Sequence, residues 1–290
     1  MIHSMTGYGK AEGVIGNKKI TIQLKSLNSK QADVSVKVPS LFKEQELVFR
    51  KEIAKDLQRG KIEMYLSYEA NEKDNSYEID EEVFQRYYNQ LSLLNGKFKL
   101  DNSNLTATIL KMPEILKARE EYVNESDDKA LLALLKAALV EINNFRVDEG
   151  KTLEVDLTDH VNEIENLLTK ALQYEDERTE TVRTRILSNL EDAQQKDKVD
   201  MDRFEQEMIF YMEKYDISEE KVRLKAHCDY FKKTMSEEQG QGKKLGFISQ
   251  EIGREVNTLG SKSNHAQMQK LVVQMKDQLE KIKEQVLNVL

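Results

Sequence analysis

Apolar and polar residues alternate along the first part of the chain, up to about residue 70. The alternation is clearest in Ile20-Thr21-Ile22-Gln23-Leu24 and Val34-Ser35-Val36-Lys37-Val38, and it returns in Ile62-Glu63-Met64-Tyr65-Leu66. A period of two is typical of half-buried β-strands. Residues 41–57 instead have helical spacing, and Gly60 ends that run. The pattern predicts a β-β-β-α-β module.

Beyond a polar, linker-like segment at residues 71–75, nearly all of the chain has a helical period. Asp80 can cap a helix that runs to about residue 94, the pair Met112-Pro113 marks a break, and Ser126 can begin another helix. Further helices are predicted at about 203–215, 218–235 and 243–259 and in a closing segment. The predicted fold class is therefore α+β, a small N-terminal mixed sheet followed by a mostly α-helical region.

A helical seam lies in the middle of the chain. Its apolar residues alternate between spacings of four and three, and they are Leu157, Val161, Ile164, Leu168 and Ala171. We predict one long helix or a helical hairpin over residues 151–195. This segment would project as an arm, pack against a neighbouring subunit, or belong to an intramolecular bundle.

These patterns divide the chain into four predicted segments. Residues 1–75 form the β-β-β-α-β module, 76–150 a helical connector, 151–200 a long helical arm, and 201–290 a C-terminal helical domain. The single cysteine, Cys228, excludes an intrachain disulfide, and no apolar run approaches the roughly 20 residues that span a bilayer. The first residues also lack the pattern of a signal peptide. We therefore expect a cytoplasmic protein without membrane contact.

Charge is distributed unevenly along this acidic chain, whose net charge is -8. Residues 221–290 contain 13 Lys and Arg against 8 Asp and Glu, so the remainder carries the excess of acid. Lys243, Lys244, Arg254 and Lys262 belong to this basic quarter, and Arg59 and Lys61 flank Gly60 in a polar turn. Such a local concentration suits a phosphate-rich ligand, although lysines also simply solubilise helix surfaces.

Candidate chemistry is concentrated in the same quarter. On a helix, Glu251 and Glu255 share one face beside Arg254 and Gln250, and two neighbouring carboxylates favour a positive partner between them. His227 lies one helix earlier, across a glycine-bearing turn that would let the two helices pack antiparallel. One histidine with two carboxylates suits Mg²⁺ or Mn²⁺ better than structural zinc, whereas a lone helical histidine is more often structural. The chain contains no phosphate-binding loop or dinucleotide fingerprint, so we expect no nucleotide cofactor.

Several motifs occur together in a characteristic order. They are Ser4-Met5-Thr6-Gly7-Tyr8-Gly9, Ser26-Leu27-Asn28-Ser29-Lys30, Arg59-Gly60-Lys61, Glu149-Gly150 with Leu153, Arg203-Phe204-Glu205-Gln206-Glu207, the His227 segment, and the stretch from Gln250 to Ser263. In this order and over the full length, the chain resembles the bacterial YicC/YloC family. The resemblance implies a cytoplasmic endoribonuclease that acts on single-stranded or small regulatory RNA, depends on a divalent cation, and assembles as a homo-hexamer.

The resemblance carries functional positions over to this chain, and they are His227, Gln250, Glu251, Arg254, Glu255, Asn257 and Lys262. From the chemistry of these side chains we expect catalytic roles for His227, Gln250, Glu251 and Glu255, with Mn²⁺ or Mg²⁺ held by His227, Glu251 and Glu255. The residues expected to bind RNA are Arg59, Lys61, Lys243, Lys244, Arg254, Asn257 and Lys262.

Two positions depart from the family pattern. Leu245-Gly246-Phe247 replaces the usual Leu-Asp-Phe run, so we expect a missing carboxylate beside the site. After the Asn28 turn the family usually has an aromatic residue, a leucine and an acid, and Gln31-Ala32-Asp33 keeps only the acid. Because of Gly246, an alternative function stays open, a non-catalytic RNA-binding adaptor that recruits another nuclease. A scaffold whose helical seams merely build a ring is a third reading.

Overall fold

The computed structural model of the chain describes residues 2–29, 31–57, 59–70, 77–99, 103–118, 125–193, 201–237 and 240–290. The strands are β1 Gly7–Ile15, β2 Lys18–Leu27, β3 Ala32–Lys37, β4 Gly60–Ala70, β5 Tyr77–Ile79 and β6 Leu116–Ala118. The α-helices are α1 Glu46–Asp56, α2 Glu81–Phe98, α3 Leu105–Ile109, α4 Glu125–Leu172, α5 Glu175–Ala193, α6 Met201–Lys214, α7 Ser218–Met235, α8 Gly242–Lys262 and α9 Ala266–Val286, and a 3₁₀ turn at Ser40–Gln45 precedes α1. The predicted α+β class is confirmed.

The N-terminal strands form one mixed sheet in the order β1-β2-β4-β3. β3 is parallel to β4, while the other neighbouring strands are antiparallel. A parallel pair needs a crossover connection, which the 3₁₀ turn and α1 provide. The order predicted from the alternation is confirmed, and the linker-like residues 71–75 lie outside the described part of the chain.

One face of this sheet is covered by α1 and by the first half of α4. Alternate residues of the strands point into this layer, as the buried Ile20, Ile22 and Leu24 of β2 show. The helices contribute Phe49, Ile53, Leu131, Leu135, Ala138, Leu139 and Ile142. The strands bury every second residue in this layer, whereas the helices bury residues three or four apart. The apolar period of the sequence therefore changes where a strand gives way to a helix.

β1 runs unusually close to α4. A Cβ atom on Gly9 would lie 2.3 Å from the carbonyl oxygen of Ala138 and 2.7 Å from the backbone nitrogen of Ile142. Gly9 therefore allows a strand and a helix backbone to pack closely.

α4 connects the sheet layer to the C-terminal helices. It contains 48 residues, or about 72 Å at 1.5 Å per residue. The helices predicted from Ser126 and from residue 151 are one continuous helix that begins at Glu125, so the predicted start at residue 151 is wrong. Gly150 lies inside this helix, where its Cβ would be 2.1 Å from the carbonyl oxygen of Ile2. The four-segment division of the chain stays a prediction, and α4 crosses its boundary at residue 150.

The predicted seam lies on the second half of α4 and is fully buried. It packs with α7, α8 and α9 in one hydrophobic core, so the intramolecular-bundle reading of the seam is confirmed. Its members are Leu157, Val161, Ile164, Leu168 and Ala171. The helix ends at Leu172, and α5 follows it from Glu175.

The two ends of the chain are paired with each other. The backbone N–H of Met5 donates to the carbonyl of Asn288 at 2.8 Å, and that of Leu290 donates to His3 at 2.9 Å. The N–H of Gly242, at the start of α8, donates to Leu290 at 3.4 Å. The first residues, the last residues and the start of α8 therefore form one structural unit, which we call the terminal clasp (residues 3–5, 242 and 288–290).

A smaller unit lies between β4 and α4. The short strands β5 and β6 pair there, and α2 and α3 pack through their own apolar cluster. The predicted cap is confirmed, since the Asp80 carboxylate accepts a hydrogen bond from the N–H of Val83 at 3.0 Å. The strands escaped the sequence analysis because three residues are too few to show a period. No described helix is both long and apolar enough to span a membrane.

Candidate nucleic-acid interface on helix α8

Helices α7 and α8 pack antiparallel, and side-chain contacts fix their register. Near one end, the Lys262 ammonium lies 2.9 Å from the Glu220 carboxylate. Near the other end, Lys244 lies 2.7 Å from Glu237 and 5.0 Å from the ring centroid of Tyr230. The hydrogen bonds to Glu237 and Tyr230 raise the pKa of Lys244.

The predicted carboxylates lie between these two contacts. Lys244, Glu251, Glu255 and Lys262 are separated by seven, four and seven residues, which places them in line along one edge of α8. Because both lysines contact α7, this edge adjoins α7. His227 follows Glu220 by seven residues and therefore lies in line with it on α7. The antiparallel packing agrees with the prediction, while the catalytic roles of these residues stay predictions.

The carboxylates on this edge are already partly neutralised. Arg254 donates to Glu251 at 2.7 Å, and its side chain is 72% exposed. Within the described residues, no three His, Cys, Asp or Glu side chains are grouped so that they could hold a metal ion. Two carboxylates one turn apart nevertheless fit the usual donor set for Mg²⁺, which keeps several waters and also contacts substrate phosphates.

Lys262 has a different environment from the other basic residues. Its ion-pair partner Glu220 is buried, with 5% of its surface exposed, and this contact ties the end of α8 to α7. A buried carboxylate requires a compensating charge, so Lys262 has a structural function whether or not it also meets RNA. The predicted RNA contact of Lys262 stays a prediction.

The opposite edge of α8 borders a cleft of about 1070 Å³ between the sheet module and the C-terminal helices. Lys243 and Gln250 of α8 line it, together with Asn28, Ser29 and Arg59 of the sheet module. The side chain of Arg59 is held by a hydrogen bond from its Nε to the carbonyl oxygen of Ser29 at 3.1 Å. The cleft therefore joins motifs that are separated by almost the whole sequence.

Gly246 lies on the cleft side of α8 and not beside Glu251 and Glu255. A Cβ atom at this position would meet only a methyl group of Val286, at an ordinary 3.9 Å. We expected the missing acid of this position to weaken the carboxylate group. The structure instead assigns the position to the wall of the cleft, and it has room for a side chain.

The remaining predicted RNA contacts are distributed around these two edges. Asn257 is exposed and follows Gln250 by seven residues, so it continues the cleft-side edge. Lys61 lies on β4, where its ammonium is 3.6 Å from Glu63. The structure thus divides the predicted site into a carboxylate edge (His227, Glu251 and Glu255) and a cleft edge (Arg59, Lys243, Gln250 and Asn257), with Arg254 between them.

Arg146 of α4 organises the sheet-module wall of the cleft, and the sequence analysis missed it. Its guanidinium is buried and donates to the carbonyl oxygens of Met5 at 3.2 Å and Arg59 at 3.4 Å, and to the hydroxyl of Ser26. Burial lowers the pKa of Arg146. A signal was available, because Arg146 follows Ile142 by four residues and so continues the apolar stripe of the helix.

Comparisons with known proteins identify the family of the chain. Residues 2–155 match the family described as "Endoribonuclease YicC-like, N-terminal region", and residues 171–290 match "Endoribonuclease YicC-like, C-terminal". The protein named "Probable endoribonuclease YicC" of Clostridioides difficile (strain 630) is 31% identical over the whole of both chains. The protein of the same name from Haemophilus influenzae (strain ATCC 51907 / DSM 11121 / KW20 / Rd) is 28% identical, also over the whole of both chains. The predicted family and its endoribonuclease class are confirmed: the chain belongs to the endoribonuclease YicC-like family.

Proposed function

We propose that this chain is an endoribonuclease that binds single-stranded RNA along α8 and hydrolyses a phosphodiester bond at its carboxylate edge. The observation that carries the proposal is the arrangement of α8, one edge of which presents carboxylates while the other borders a cationic cleft. Binding and cleavage can then act on adjacent parts of one strand.

The binding half of the proposal rests on the charges around the cleft. Arg59 and Lys243 approach it from opposite walls, and Arg254 stands exposed on the ridge between the two edges. A planar guanidinium can donate two hydrogen bonds to one phosphate. Exposed ion pairs contribute little to stability, so Arg254 can exchange Glu251 for an RNA phosphate at small cost.

The movement of Arg254 from Glu251 to an RNA phosphate would also free the Glu251 carboxylate for catalysis. When Arg254 leaves Glu251, both carboxylates face the bound strand, where they can orient a water molecule for attack on phosphorus. The imidazole of His227, on the neighbouring helix α7, would transfer a proton in this reaction. In this proposal the attacking water loses a proton to the site, and the departing ribose oxygen gains one.

A divalent cation is part of the proposal. Glu251 and Glu255 would hold Mg²⁺ or Mn²⁺ together with water and the substrate phosphate, and the ion would supply a more acidic water and offset charge on the phosphate. Small regulatory RNA as substrate, a cytoplasmic location and a homo-hexameric assembly follow from the family resemblance. Exposed apolar side chains on α6, among them Ile209 and Phe210, support self-association.

The second candidate function is the RNA-binding adaptor that recruits another nuclease. It is favoured by the Arg254–Glu251 pair, which shows that a carboxylate of this edge can serve to orient a basic side chain. On that reading the two acids would support binding without any chemistry.

One experiment separates the two functions. The double substitution Glu251→Gln and Glu255→Gln removes both charges while it preserves side-chain size. For purified protein with a short unstructured RNA and Mn²⁺, we expect cleavage to fall by at least about a hundredfold, as when a catalytic acid–base group is lost. RNA affinity, measured by fluorescence anisotropy, should stay within about threefold, and a chelator should stop cleavage by the unsubstituted protein.

The exposed carboxylates Glu141 of α4 and Glu213 of α6 provide a matched control, because their substitution by Gln changes the net charge equally at another place. If the Glu251/Glu255 variant still cleaves RNA at the normal rate, these two residues take no part in catalysis. If purified protein cleaves no RNA with or without metal, the enzyme is excluded and the adaptor remains.

A further inference from the structure

The cleft at the second edge of α8 has chemistry that phosphate binding alone does not explain. Its floor is apolar and is built from Met5, Val286, Leu287 and Val289. Phosphate is strongly hydrated and gains nothing from such a surface. An apolar floor next to cations instead suits a ligand with a flat, weakly hydrated part and a charged part.

The polar groups around this floor are of two kinds. Arg59, Lys243 and Lys283 supply positive charge, and Asn28 and Gln250 supply amides that can both donate and accept hydrogen bonds. Among the described residues that line the cleft there is no Asp or Glu, although the chain has a net charge of -8. Lys283 does pair with Glu280 at 2.8 Å, a partly exposed contact on α9. The lining therefore selects an anion that has hydrogen-bonding edges.

We propose that the cleft is a subsite for one unpaired nucleotide of the RNA, with its base on the apolar floor and its phosphate between Arg59 and Lys243. This inference rests on the proposed function, whose substrate it specifies. A base held in this way must be unstacked and unpaired, so the subsite provides a physical reason for a preference for single strands.

The volume and the access to the cleft agree with this occupant. About 1070 Å³ exceeds what one small ligand needs, which leaves space for the neighbouring phosphates. α8 begins at Gly242, beside the cleft, and has no acidic residue in its first turn. The first turn of α8 therefore adds no negative side chain to the lining beside Lys243.

Gly246 offers a way to fill the cleft without disturbing the fold. Its Cβ position is open, and leucine is a better helix former than glycine, so Gly246→Leu should fold while its side chain occupies the floor. Gly96→Leu on α2 is the matched control, because a Cβ there meets nothing within 4 Å and α2 does not line the cleft.

The test measures binding and not cleavage, with three probes. They are a short unstructured RNA, a chain of the same length that lacks all of its bases, and the free nucleoside monophosphates. Gly246→Leu should bind the unstructured RNA about tenfold more weakly, as expected for the loss of one base contact, and should bind the abasic chain as the unsubstituted protein does. Gly96→Leu should change neither affinity.

A second pair of variants tests the floor independently of Gly246. Leu287 is 63% exposed and lines the cleft. Val273 on α9 is similarly exposed, at 61%, and does not line the cleft. Leu287→Ser should lower the affinity for the unstructured RNA by about threefold and leave the affinity for the abasic chain unchanged. Val273→Ser should change neither affinity.

Each other result overturns the subsite. Unchanged RNA binding in both Gly246→Leu and Leu287→Ser would show that no base enters the cleft, and equal losses for normal and abasic chains would show that the cleft holds backbone alone. If Gly246→Leu affects a free mononucleotide but not RNA, the cleft is a site for small nucleotides. Because no cleavage is measured, the expected pattern would support the subsite even in a protein that failed the nuclease test.

Discussion

At the scale of single residues, the basic side chains of α8 differ in what they can do, although the sequence presents them alike. Lys262 is fixed against the buried Glu220, whereas Arg254 forms an exposed pair and Lys243 borders the cleft. The sequence shows where basic residues are concentrated, but the contact partner of each one depends on the packing. Substitutions should therefore distinguish basic residues that stabilise the fold from those that bind RNA.

Substitution of Lys262 by methionine should destabilise the protein more than it affects RNA binding. The change preserves the length of the side chain but leaves the Glu220 carboxylate buried without its partner, which we expect to cost about 1–3 kcal/mol because Lys262 itself is partly exposed. The free energy of unfolding by urea measures this loss.

Lys61→Met provides the matched control, since Lys61 makes a longer and more exposed pair with Glu63. Its unfolding free energy should stay within about 0.5 kcal/mol of that of the unsubstituted protein. A Lys262→Met variant of full stability that has lost RNA affinity would instead identify Lys262 as an RNA contact.

At the scale of elements, two glycines within helices have opposite environments, one tightly packed and one open. Gly150 allows α4 to touch the backbone of Ile2, whereas Gly246 faces the open cleft. Glycine inside a helix costs conformational entropy, so it is expected where a close approach or a free volume is required.

Alanine substitutions should therefore change stability in opposite directions. Gly246→Ala should raise the unfolding free energy by about 0.5–1 kcal/mol, because the helix gains propensity and the new methyl group meets no obstruction. Gly150→Ala should lower it by about 3 kcal/mol, because the methyl group would overlap the Ile2 carbonyl. Thermal and urea unfolding measure both, and a neutral Gly150→Ala would contradict the close packing of the N-terminal residues on α4.

At the scale of the whole molecule, the cleft depends on both ends of the chain. Met5 and Val289 belong to its floor, and the terminal clasp keeps them next to the start of α8. α4 extends from the sheet core to the C-terminal core, so the two family regions meet along one helix and at the clasp. Binding at the cleft is accordingly linked to the integrity of the clasp.

Removal of residues 288–290 should weaken both the fold and RNA binding. The deletion breaks the backbone hydrogen bonds of the clasp and exposes Met5, which we expect to cost about 3 kcal/mol in unfolding free energy. RNA affinity should fall as well, because one wall of the cleft is lost.

The control is Asn288→Ala, which keeps the backbone bonds in place. It should remain within about 0.5 kcal/mol of the unsubstituted protein and should bind RNA normally. A truncated protein with unchanged stability and unchanged RNA affinity would show that the clasp does not support the cleft.

The sequence by itself determined the type of most of the longer elements, although it missed the short strands β5 and β6. Strand alternation around Ile22 and Ile62, the cap at Asp80 and the seam from Leu157 to Ala171 are local signals, because side-chain period and capping act within a few residues. The ordered motifs also determined the family, since sequence similarity extends over the whole chain.

Only the tertiary structure decided which residues share a site. It placed Glu251 and Glu255 on the edge of α8 that adjoins α7, moved Gly246 and Gln250 to the cleft, and brought Arg59 and Arg146 to the same wall. These relations depend on how α8 is rotated against α7, α9 and the sheet module, and that rotation follows from packing between segments far apart in the chain. A helical period reveals which faces are apolar, whereas the partner of each polar edge is fixed by long-range contacts that no local pattern encodes.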